Sequence, residues 1–445
     1  MKGLASFVVI AIFFTFDASA IGWPDFMYDF TEATDLEGGQ NTGLTAFPTL
    51  SIPLGGEMEG MSSAYTAVAR DYSFLEANPA ASSRLDNTEL AVSHRNLIAD
   101  ANMESVVYTT RFEHLGLGTA MKFLHVPFTE YDRYGVQENT IRYSETIAGL
   151  NVSYNMLHSF DFHGIAIGAN LKSGYRRIPE VIAPGQSAAG IMADVGMLTR
   201  FNLGKFYRSQ EKNFSIGAAA RNVGPPVLDD PLPSHATGGA AYKPIKPVTL
   251  AFDYTYPFVL GSDLPAEAPS YAGGASVRVT EFLAAQTGFQ LRGGNPRFAL
   301  GSTVDFPAVT LQLNYTLDLT TQVDRVDRFS VQASFNLGDR GRGERKAKVE
   351  EFYVDALEAY ADGNLERAVE LGNQALEIDP TFTPAAKTLE NAEKMLDLQR
   401  QMESIRLGQE EEYFDEDTLD DLGNTGETDT DGEDEGGAAT DGAAD

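Results

Sequence analysis

The middle of the chain alternates between apolar and polar residues, most strictly toward its end. In residues 309–319 every second residue is apolar, namely Val309, Leu311, Leu313, Tyr315 and Leu317. Residues 327–337 repeat the pattern. A period of two places successive side chains on opposite faces of a β-strand. Both segments are therefore predicted to be strands with one apolar face.

The same pattern recurs along the chain and predicts 14 strands. They lie near residues 89–98, 103–112, 116–125, 145–157, 162–173, 190–201, 214–223, 235–242, 248–256, 271–279, 282–291, 297–306, 309–317 and 327–337. Most are close to the about 9–11 residues of a strand that crosses a bilayer. Spanning strands must form a closed barrel, because hydrocarbon offers no hydrogen bonds to an open edge. We therefore expect an all-β transmembrane barrel of 14 antiparallel strands over residues 89–337.

The segments between the predicted strands alternate between long and short. The longest, at 126–144 and 174–189, fall on one side of the barrel, and most connections on the other side are short. Long loops outside and tight turns toward the periplasm are typical of outer-membrane barrels. A soluble β-sandwich is the alternative, but its architecture does not require this asymmetry. An even barrel returns the chain to its starting side, so the region after residue 337 is expected in the periplasm.

A helical pattern follows the barrel over residues 349–408, after a basic linker at 338–348. Gly363-Asn364 separates two series of apolar residues, and Asp379-Pro380 ends the second. A third helix is predicted from Pro384 to about Arg406.

The first two of these predicted helices resemble a tetratricopeptide repeat. The small residues, the turn and the proline of that family correspond to Ala356, Ala359, Gly363, Ala368, Ala375 and Pro380. Stacked repeats normally need about three copies for stability. Because only one copy is visible, a plain helical hairpin is the alternative.

Residues 1–20 have the features of a secretory signal peptide. Lys2 supplies a positive charge, an apolar stretch follows from Leu4 to Phe16, and Ala18-Ser19-Ala20 forms a cleavage site of the A-x-A type. The apolar stretch is shorter than the roughly 20 residues that a membrane-spanning helix needs. We therefore expect export rather than a helical anchor.

The composition excludes several kinds of site. The chain has no cysteine, which rules out disulfides, thiolate metal sites and a cysteine nucleophile. Its formal net charge is −31, and residues 410–445 carry 16 acidic side chains and no basic one. Such a chain is a poor partner for nucleic acid, which requires clustered Lys and Arg. Residues 409–445 are expected to be a disordered, solvated acidic tail.

The segment between the leader and the barrel, residues 21–88, contains glycines, a short Met-x-x-Ala helix, acidic positions and Asn-Pro-Ala. This order resembles the N-terminal signature of the FadL-type long-chain fatty-acid transporters, with their PorV-like relatives and an uncharacterised spirochaetal family. The matching residues are Gly55, Gly56, Gly60, Met61, Ala64, Asp71, Asn78, Pro79 and Ala80. Ser62 and Ser63 replace the usual glycines, and Arg70 replaces the first acid. Residues 220–224 resemble a strand-end motif of the PorV-like and spirochaetal branches.

This resemblance implies a barrel whose lumen is closed by residues 21–88, which we call the plug. It also implies passive uptake of hydrophobic molecules, such as long-chain fatty acids, across the outer membrane. The candidate ligand contacts are the large apolar residues of the plug, Phe47, Met58, Met61, Tyr65, Phe74 and Leu75. Each could equally belong to the core of the plug.

Two other functions remain open at this point. The barrel could anchor a scaffold or a partner of a secretion system, with residues 349–408 binding a periplasmic protein. An open diffusion pore is less favoured if the plug fills the lumen. Catalysis and cofactors are not expected, because the six histidines are scattered without metal-ligand spacing and no nucleophile or nucleotide-binding motif occurs.

Overall fold

The architecture is seen in a computed structural model, which describes residues 45–97, 100–160, 162–207, 209, 211–261, 266–292, 295–318 and 326–422. The expected signal peptide, the first part of the plug at 21–44 and the end of the acidic tail at 423–445 lie outside the described residues.

The 14 predicted strands are all present and form one closed barrel. Each strand pairs antiparallel with its neighbours in sequence, and the last pairs with the first. The strands are β1 (Glu89–Asn96), β2 (Asn102–Phe112), β3 (Leu115–Tyr131), β4 (Gln137–Met156), β5 (Ile165–Arg177), β6 (Ala188–Phe201), β7 (Phe214–Val223), β8 (His235–Ile245), β9 (Val248–Pro257), β10 (Ser270–Arg278), β11 (Leu283–Arg292), β12 (Asn295–Asp305), β13 (Val309–Asp318) and β14 (Val326–Asn336). We call the end where β1 begins and β14 ends the near end, and the opposite one the far end.

The two faces of the strands show which environment surrounds the barrel. On β13 the apolar residues Leu311 and Leu313 point outward and are exposed, whereas Gln312 and Asn314 point into the lumen and are buried. The other strands alternate in the same sense. A soluble sandwich would bury its apolar face, so this arrangement excludes it and is typical of a transmembrane barrel.

The predicted loop at 126–144 is wrong. Residues 126–131 and 137–144 continue β3 and β4 and pair with each other, and only a short turn joins them. In that turn the Asp132 carboxylate accepts hydrogen bonds of 2.8 Å from the backbone N–H groups of Tyr134 and Val136. In this hairpin the apolar residues Val126, Phe128, Ile141 and Tyr143 share the face that continues the lumen side, with Val126 opposite Tyr143 and Phe128 opposite Ile141. The outward apolar residues that mark the other strands are therefore absent. The predicted loop at 174–189 is likewise shorter, because β5 and β6 extend into it.

The described plug residues, 45–88, lie inside the barrel. They form two short helices, α1 (Gly56–Gly60) and α2 (Phe74–Ala77), and two 3₁₀ helices, Pro48–Ser51 and Pro79–Arg84. Asn78 has an extended backbone, and its side-chain oxygen accepts a hydrogen bond of 3.1 Å from the N–H of Ala80. It therefore caps the 3₁₀ helix that Pro79 begins.

Residues 348–422 form a second compact unit. The helices after the barrel are α3 (Arg342–Ala361), α4 (Leu365–Ile378) and α5 (Thr383–Leu422). Ala356, Ala368 and Ala375 are buried, as the predicted helix–turn–helix requires, while the assignment to the tetratricopeptide family stays a prediction. No helix in the described part of the chain is long and apolar enough to cross a membrane.

Two predicted boundaries in this region need correction. The linker at 338–348 is helical from Arg342, where Asp339 caps α3 by accepting hydrogen bonds from the N–H groups of Gly343 and Gly341. These bonds hold the pKa of the Asp339 carboxyl below its usual range. Helix α5 runs to Leu422, so the expected disordered tail starts as helix over 409–422. Acidic composition predicted disorder there, but extending an existing helix avoids the cost of nucleation.

Candidate functional site

Where the plug contacts the barrel wall, the wall residues are often glycines, which have no side chain. Seven strands place a glycine against the lumen at the height of the plug. A Cβ atom at any of them would lie within 3.0 Å of a plug atom, so the plug occupies the space of the missing side chains. The glycines are Gly116, Gly168, Gly196, Gly217, Gly274, Gly288 and Gly301. Plug and wall therefore have complementary shapes at seven of the 14 strands.

Side chains of the wall also bind the backbone of the plug. Asn151 and Asn170 donate hydrogen bonds of 2.9 and 2.8 Å to the carbonyl oxygens of Pro79 and Leu75. On the other side of the lumen, the Asp253 carboxylate accepts bonds of 3.0 and 2.9 Å from two consecutive plug N–H groups, at Tyr65 and Thr66. These bonds satisfy polar backbone that would otherwise be buried without a partner.

Buried ion pairs add to this attachment. Glu59 on α1 pairs with Arg95 on β1, and the two side chains are only 3% and 2% exposed. Ser330 on β14 donates a hydrogen bond of 2.6 Å to the same carboxylate, so Glu59 contacts both strands of the closing seam. Glu76 on α2 pairs with Lys122 on β3 at 2.5 Å. Breaking a buried pair from one side leaves an uncompensated charge, which costs about 3–5 kcal/mol.

Two residues of the predicted plug motif organise the plug. Asn78 donates hydrogen bonds of 3.0 and 2.9 Å to the carbonyl oxygens of Thr66 and Met197, joining two parts of the plug to β6. Asp71 accepts a bond of 2.9 Å from the N–H of Glu57 and so fixes the start of α1.

The other motif residues are small or lie at points of close approach. Gly60 packs against Gly301, and Pro79 against Gly168. Met61, Ala64 and Ala80 are fully buried. All of these contacts are within the plug or between plug and wall, so the motif residues shape and seat the plug.

Two of the three departures from the family signature fall at strained positions. Ser62 and Ser63 have positive φ angles of 49° and 70°. Residues with a side chain pay an energetic cost there, and glycine does not. This geometry explains why glycines are usual at these two positions.

The candidate ligand contacts are divided between two apolar clusters. Met58, Met61, Tyr65, Phe74 and Leu75 belong to the core of the plug. Phe47 lies apart, against Ile147, Met192, Val227 and Leu232. All six are at most 5% exposed, and their role in ligand binding stays a prediction.

A cavity of about 110 Å³ lies between the plug and the far-end half of strands β7 to β12. Met58 is the one candidate contact that lines it. Its other apolar lining comes from plug and loop residues, including Leu50, Leu232, Phe258 and Val259. Its charged lining consists of Lys172, Arg221, Arg292 and Arg297 with the carboxylates Glu76 and Glu267. The cavity thus combines apolar surface with more basic than acidic side chains.

Arg221 is the arginine of this cavity whose charge is least compensated. Arg292 pairs with Glu267, and Arg297 pairs with Asp318. Arg221 is buried and donates to the carbonyl oxygen of Glu76 and, at 2.8 Å, to Thr237 Oγ1. Among the described residues it forms no ion pair, and its Nε has no hydrogen-bond partner. The site can therefore accept an anionic group.

The structure groups histidines that the sequence scatters. His114, His158 and His163 meet at the near end, with ring centroids 5.1 and 6.3 Å apart for the two neighbouring pairs. Within the described ranges, no group of three or more His, Asp or Glu residues is arranged to hold a metal ion. The residues that sequence analysis missed are the inward glycines, Glu59, Arg95 and Asp253, and it included Arg221 only within the strand-end motif at 220–224. Asp253 and Arg221 are charged residues in strands made mainly of apolar or small residues. This contrast was the feature of the sequence that could have identified them.

Comparison with known sequences gives a family match over most of the chain. A model of the family described as "Uncharacterised protein family (UPF0164)" matches residues 30–339. One UPF0164 protein of Treponema pallidum (strain Nichols) is 26% identical over 385 residues, covering 82% of this chain and 86% of its own. Another is 30% identical over 201 residues, covering 44% and 48%. These relatives support the resemblance to an uncharacterised spirochaetal family that the sequence analysis noted.

Comparison with solved structures gives partial superpositions on outer-membrane and transport proteins. The toluene transporter TodX of P. putida superposes with a TM-score of 0.41 at 14% identity, covering 63% of this chain and 98% of its own. The outer membrane protein Omp33 of Acinetobacter baumannii superposes with a TM-score of 0.33 at 10% identity, covering 56% and 98%.

Proposed function

The chain belongs to the UPF0164 family, and from the contents of its lumen we propose that it transports hydrophobic molecules across the outer membrane. Ligands with an anionic group fit best, and long-chain fatty acids are the main candidates. The observation that carries this proposal is Arg221, a buried guanidinium that forms no ion pair with any described residue, in a cavity lined by both apolar and polar side chains.

The location follows from the same physical argument as the fold. A barrel with apolar residues outside and polar residues inside is stable in a bilayer, and closed barrels of this type occur in outer membranes. The chain enters and leaves the barrel at one end, since Glu89 pairs with Asn336. We place this near end, and the helices that follow it, in the periplasm.

The size of the cavity constrains the mechanism. Pockets for drug-sized ligands usually measure about 300–1,000 Å³, and this one is about 110 Å³. A fatty acid can therefore bind with its carboxylate at Arg221 only if the plug residues at 45–53 or the far-end loops shift. The apolar lining by Leu50 and Met58 places plug residues beside the ligand, so binding and plug movement are coupled in this proposal.

Binding measurements with the purified full chain test the role of Arg221. Arg221→Gln should weaken binding of a long-chain fatty acid by about 10- to 100-fold, since hydrogen bonds to charged groups contribute about 1.5–3 kcal/mol. Binding of the fatty alcohol of equal length should change little. Arg200→Gln is the matched control, because Arg200 is also a lumen arginine that binds plug backbone, at Val68, but it does not line the cavity.

Chain length provides the second arm of this experiment. Shortening the acid by four carbons should cost up to about 3 kcal/mol, at about 0.8 kcal/mol per buried methylene. A flat response to chain length, or equal loss in both arginine variants, would contradict the transport proposal.

One observation favours a second function, a scaffold that binds a protein partner. Helix α5 exposes Met395, Leu398, Met402 and Ile405, which recur at spacings of three and four residues and so share one face. An amphipathic helix of a periplasmic protein would fit such a face. Met402→Glu should then abolish co-purification of the partner and leave fatty-acid binding unchanged. If Met402→Glu retains both partner co-purification and fatty-acid binding, the scaffold function is excluded.

A further inference from the structure

We propose that the outer wall of the barrel carries a specific binding site for an anionic membrane lipid. The site is a groove on the lipid-facing side of β4, β5 and β6, toward the far end. It is separate from the cavity in the lumen and requires only that the barrel stands in a bilayer.

The groove measures about 580 Å³, within the range of about 300–1,000 Å³ that is usual for ligand sites. Its floor is formed by outward-facing residues, and the loop after β7 forms one side. The main lining residues are Ala148, Ser173, Tyr175, Ala189, Ile191 and Pro225. The surface is almost entirely apolar, apart from the hydroxyl groups of Ser173, Tyr175 and Thr146.

Two features of the wall create the groove. First, β7 ends at Val223, which pairs with Ala193, so residues 188–192 of β6 continue beyond it without this partner. The chain turns away at Pro225 and Pro226, which have no N–H to continue the ladder. Second, four of the six outward residues that line the groove, Thr146, Ala148, Ser173 and Ala189, are small, whereas below them Leu150 and Leu171 restore the full apolar belt. The groove is therefore continuous with the surface that contacts lipid tails.

Two arginines stand directly above the groove. Arg177 follows Tyr175 on the outward face of β5 and pairs with Ser144 on β4. Arg142 lies two residues beyond Ser144 on the same face, so the two arginines are diagonal neighbours about 7–8 Å apart. Both are exposed, and neither forms a side-chain hydrogen bond or an ion pair with any residue that the structure describes.

This arrangement matches one class of ligand. Tyr175 marks the level where aromatic residues normally meet the headgroup region, and the arginines lie just outside it. An acyl chain can fill the apolar groove while the arginines bind the phosphate, since guanidinium groups suit bidentate recognition of phosphate. A soluble anion would use the arginines but not the groove, and a neutral lipid would use the groove but not the arginines. An anionic phospholipid uses both.

Native mass spectrometry of the full chain, released from detergent with added lipid, tests this inference. We expect one phosphatidylglycerol molecule to be retained at least 10-fold more strongly than phosphatidylcholine with the same chains. The double variant Arg142→Gln/Arg177→Gln should lose this preference. Ala148→Trp, which fills the groove, should lose retention of both lipids.

Two variants serve as controls. Arg133→Gln removes an exposed arginine from the hairpin turn, and Ala285→Trp enlarges an outward residue on the opposite wall; both should retain the lipid as the unaltered chain does. Anomalous mobility on unheated gels verifies the fold of every variant. Equal retention of the two lipids by the unaltered chain, or equal losses in test and control variants, would overturn the proposal. Because neither groove variant touches the lumen, fatty-acid binding at Arg221 reports separately on the proposed transport.

Discussion

Substitution of a single inward glycine should displace the plug without harming the barrel. Gly217 on β7 faces the carbonyl group of Thr66, and a Cβ atom added there would lie less than 3.0 Å from both its carbon and its oxygen. These are backbone atoms, which Tyr65 and Thr66 hold in place through their bonds to Asp253. The contact therefore cannot be relieved by a side-chain rotation, and either the plug or the strand must move.

The neighbouring strand supplies a matched control. Gly238 on β8 pairs with Ala218, next to Gly217, but faces outward, and a Cβ atom added to it would have no other atom within 4 Å. Overpacking of a filled interior costs about 1–3 kcal/mol, so Gly217→Ala should lose that much free energy of unfolding. Gly238→Ala should be neutral or gain up to about 1 kcal/mol, because it removes the flexibility of glycine from a strand.

Urea unfolding in the presence of lipid vesicles, followed by circular dichroism, measures these free energies. Trypsin added to the folded protein measures plug displacement directly, because Arg70 then becomes accessible for cleavage. We expect faster cleavage in Gly217→Ala alone. If the two variants unfold at the same urea concentration and resist trypsin equally, the plug does not contact the wall as described.

Three further results are expected. Glu59→Gln should destabilise the protein by about 3–5 kcal/mol, because it leaves Arg95 buried without its anion, whereas Glu104→Gln on the outer wall should have little effect in the same urea titration. Deletion of residues 21–84 should open a non-selective pore in planar bilayers; an unchanged conductance would contradict a plugged lumen. Ser63→Gly should raise stability slightly by relieving the positive φ angle, and a loss of stability would show that the serine hydroxyl matters more than the strain.

The strands were predictable because each wall residue follows a local rule. Because lipid surrounds the barrel and polar groups fill it, apolar and polar residues alternate along each strand. This alternation is visible in single segments such as 309–317. The rule fails in the β3–β4 hairpin, where the apolar residues fall on the lumen-side face, and these strands were therefore predicted as a loop. It also fails in 409–422, because helix extension depends on the preceding turns of α5 more than on charge.

The lumen could be predicted only in outline. The resemblance identified Asn78 and Asp71, whose bonds organise the plug. The inward glycines could not be identified, because a glycine in a strand looks the same in sequence whether it faces plug or lipid. Gly217 and Gly238 illustrate this. Likewise, Arg221 and Arg95 are both inward arginines, and only the fold shows that one is paired with an acid and the other is not.

A cross-link between plug and wall tests the central claim most directly. The Oγ atoms of Ser82 in the plug and Ser153 on β4 lie 2.5 Å apart, close to the about 2.05 Å of a disulfide bond. The chain has no cysteine, so Ser82→Cys/Ser153→Cys introduces the only two thiols. Ser93→Cys/Ser105→Cys is the control within the wall, where the Oγ atoms lie 2.6 Å apart.

The measurement is the fraction of thiols protected from alkylation after mild oxidation of the membrane-inserted protein. If the plug occupies the lumen as described, both pairs form disulfides, and reduction restores both thiols. The contradicting result is that the control variant forms its disulfide while both thiols of Ser82→Cys/Ser153→Cys remain fully open to alkylation. The plug would then not lie against β4, and the account of a plugged barrel would be wrong.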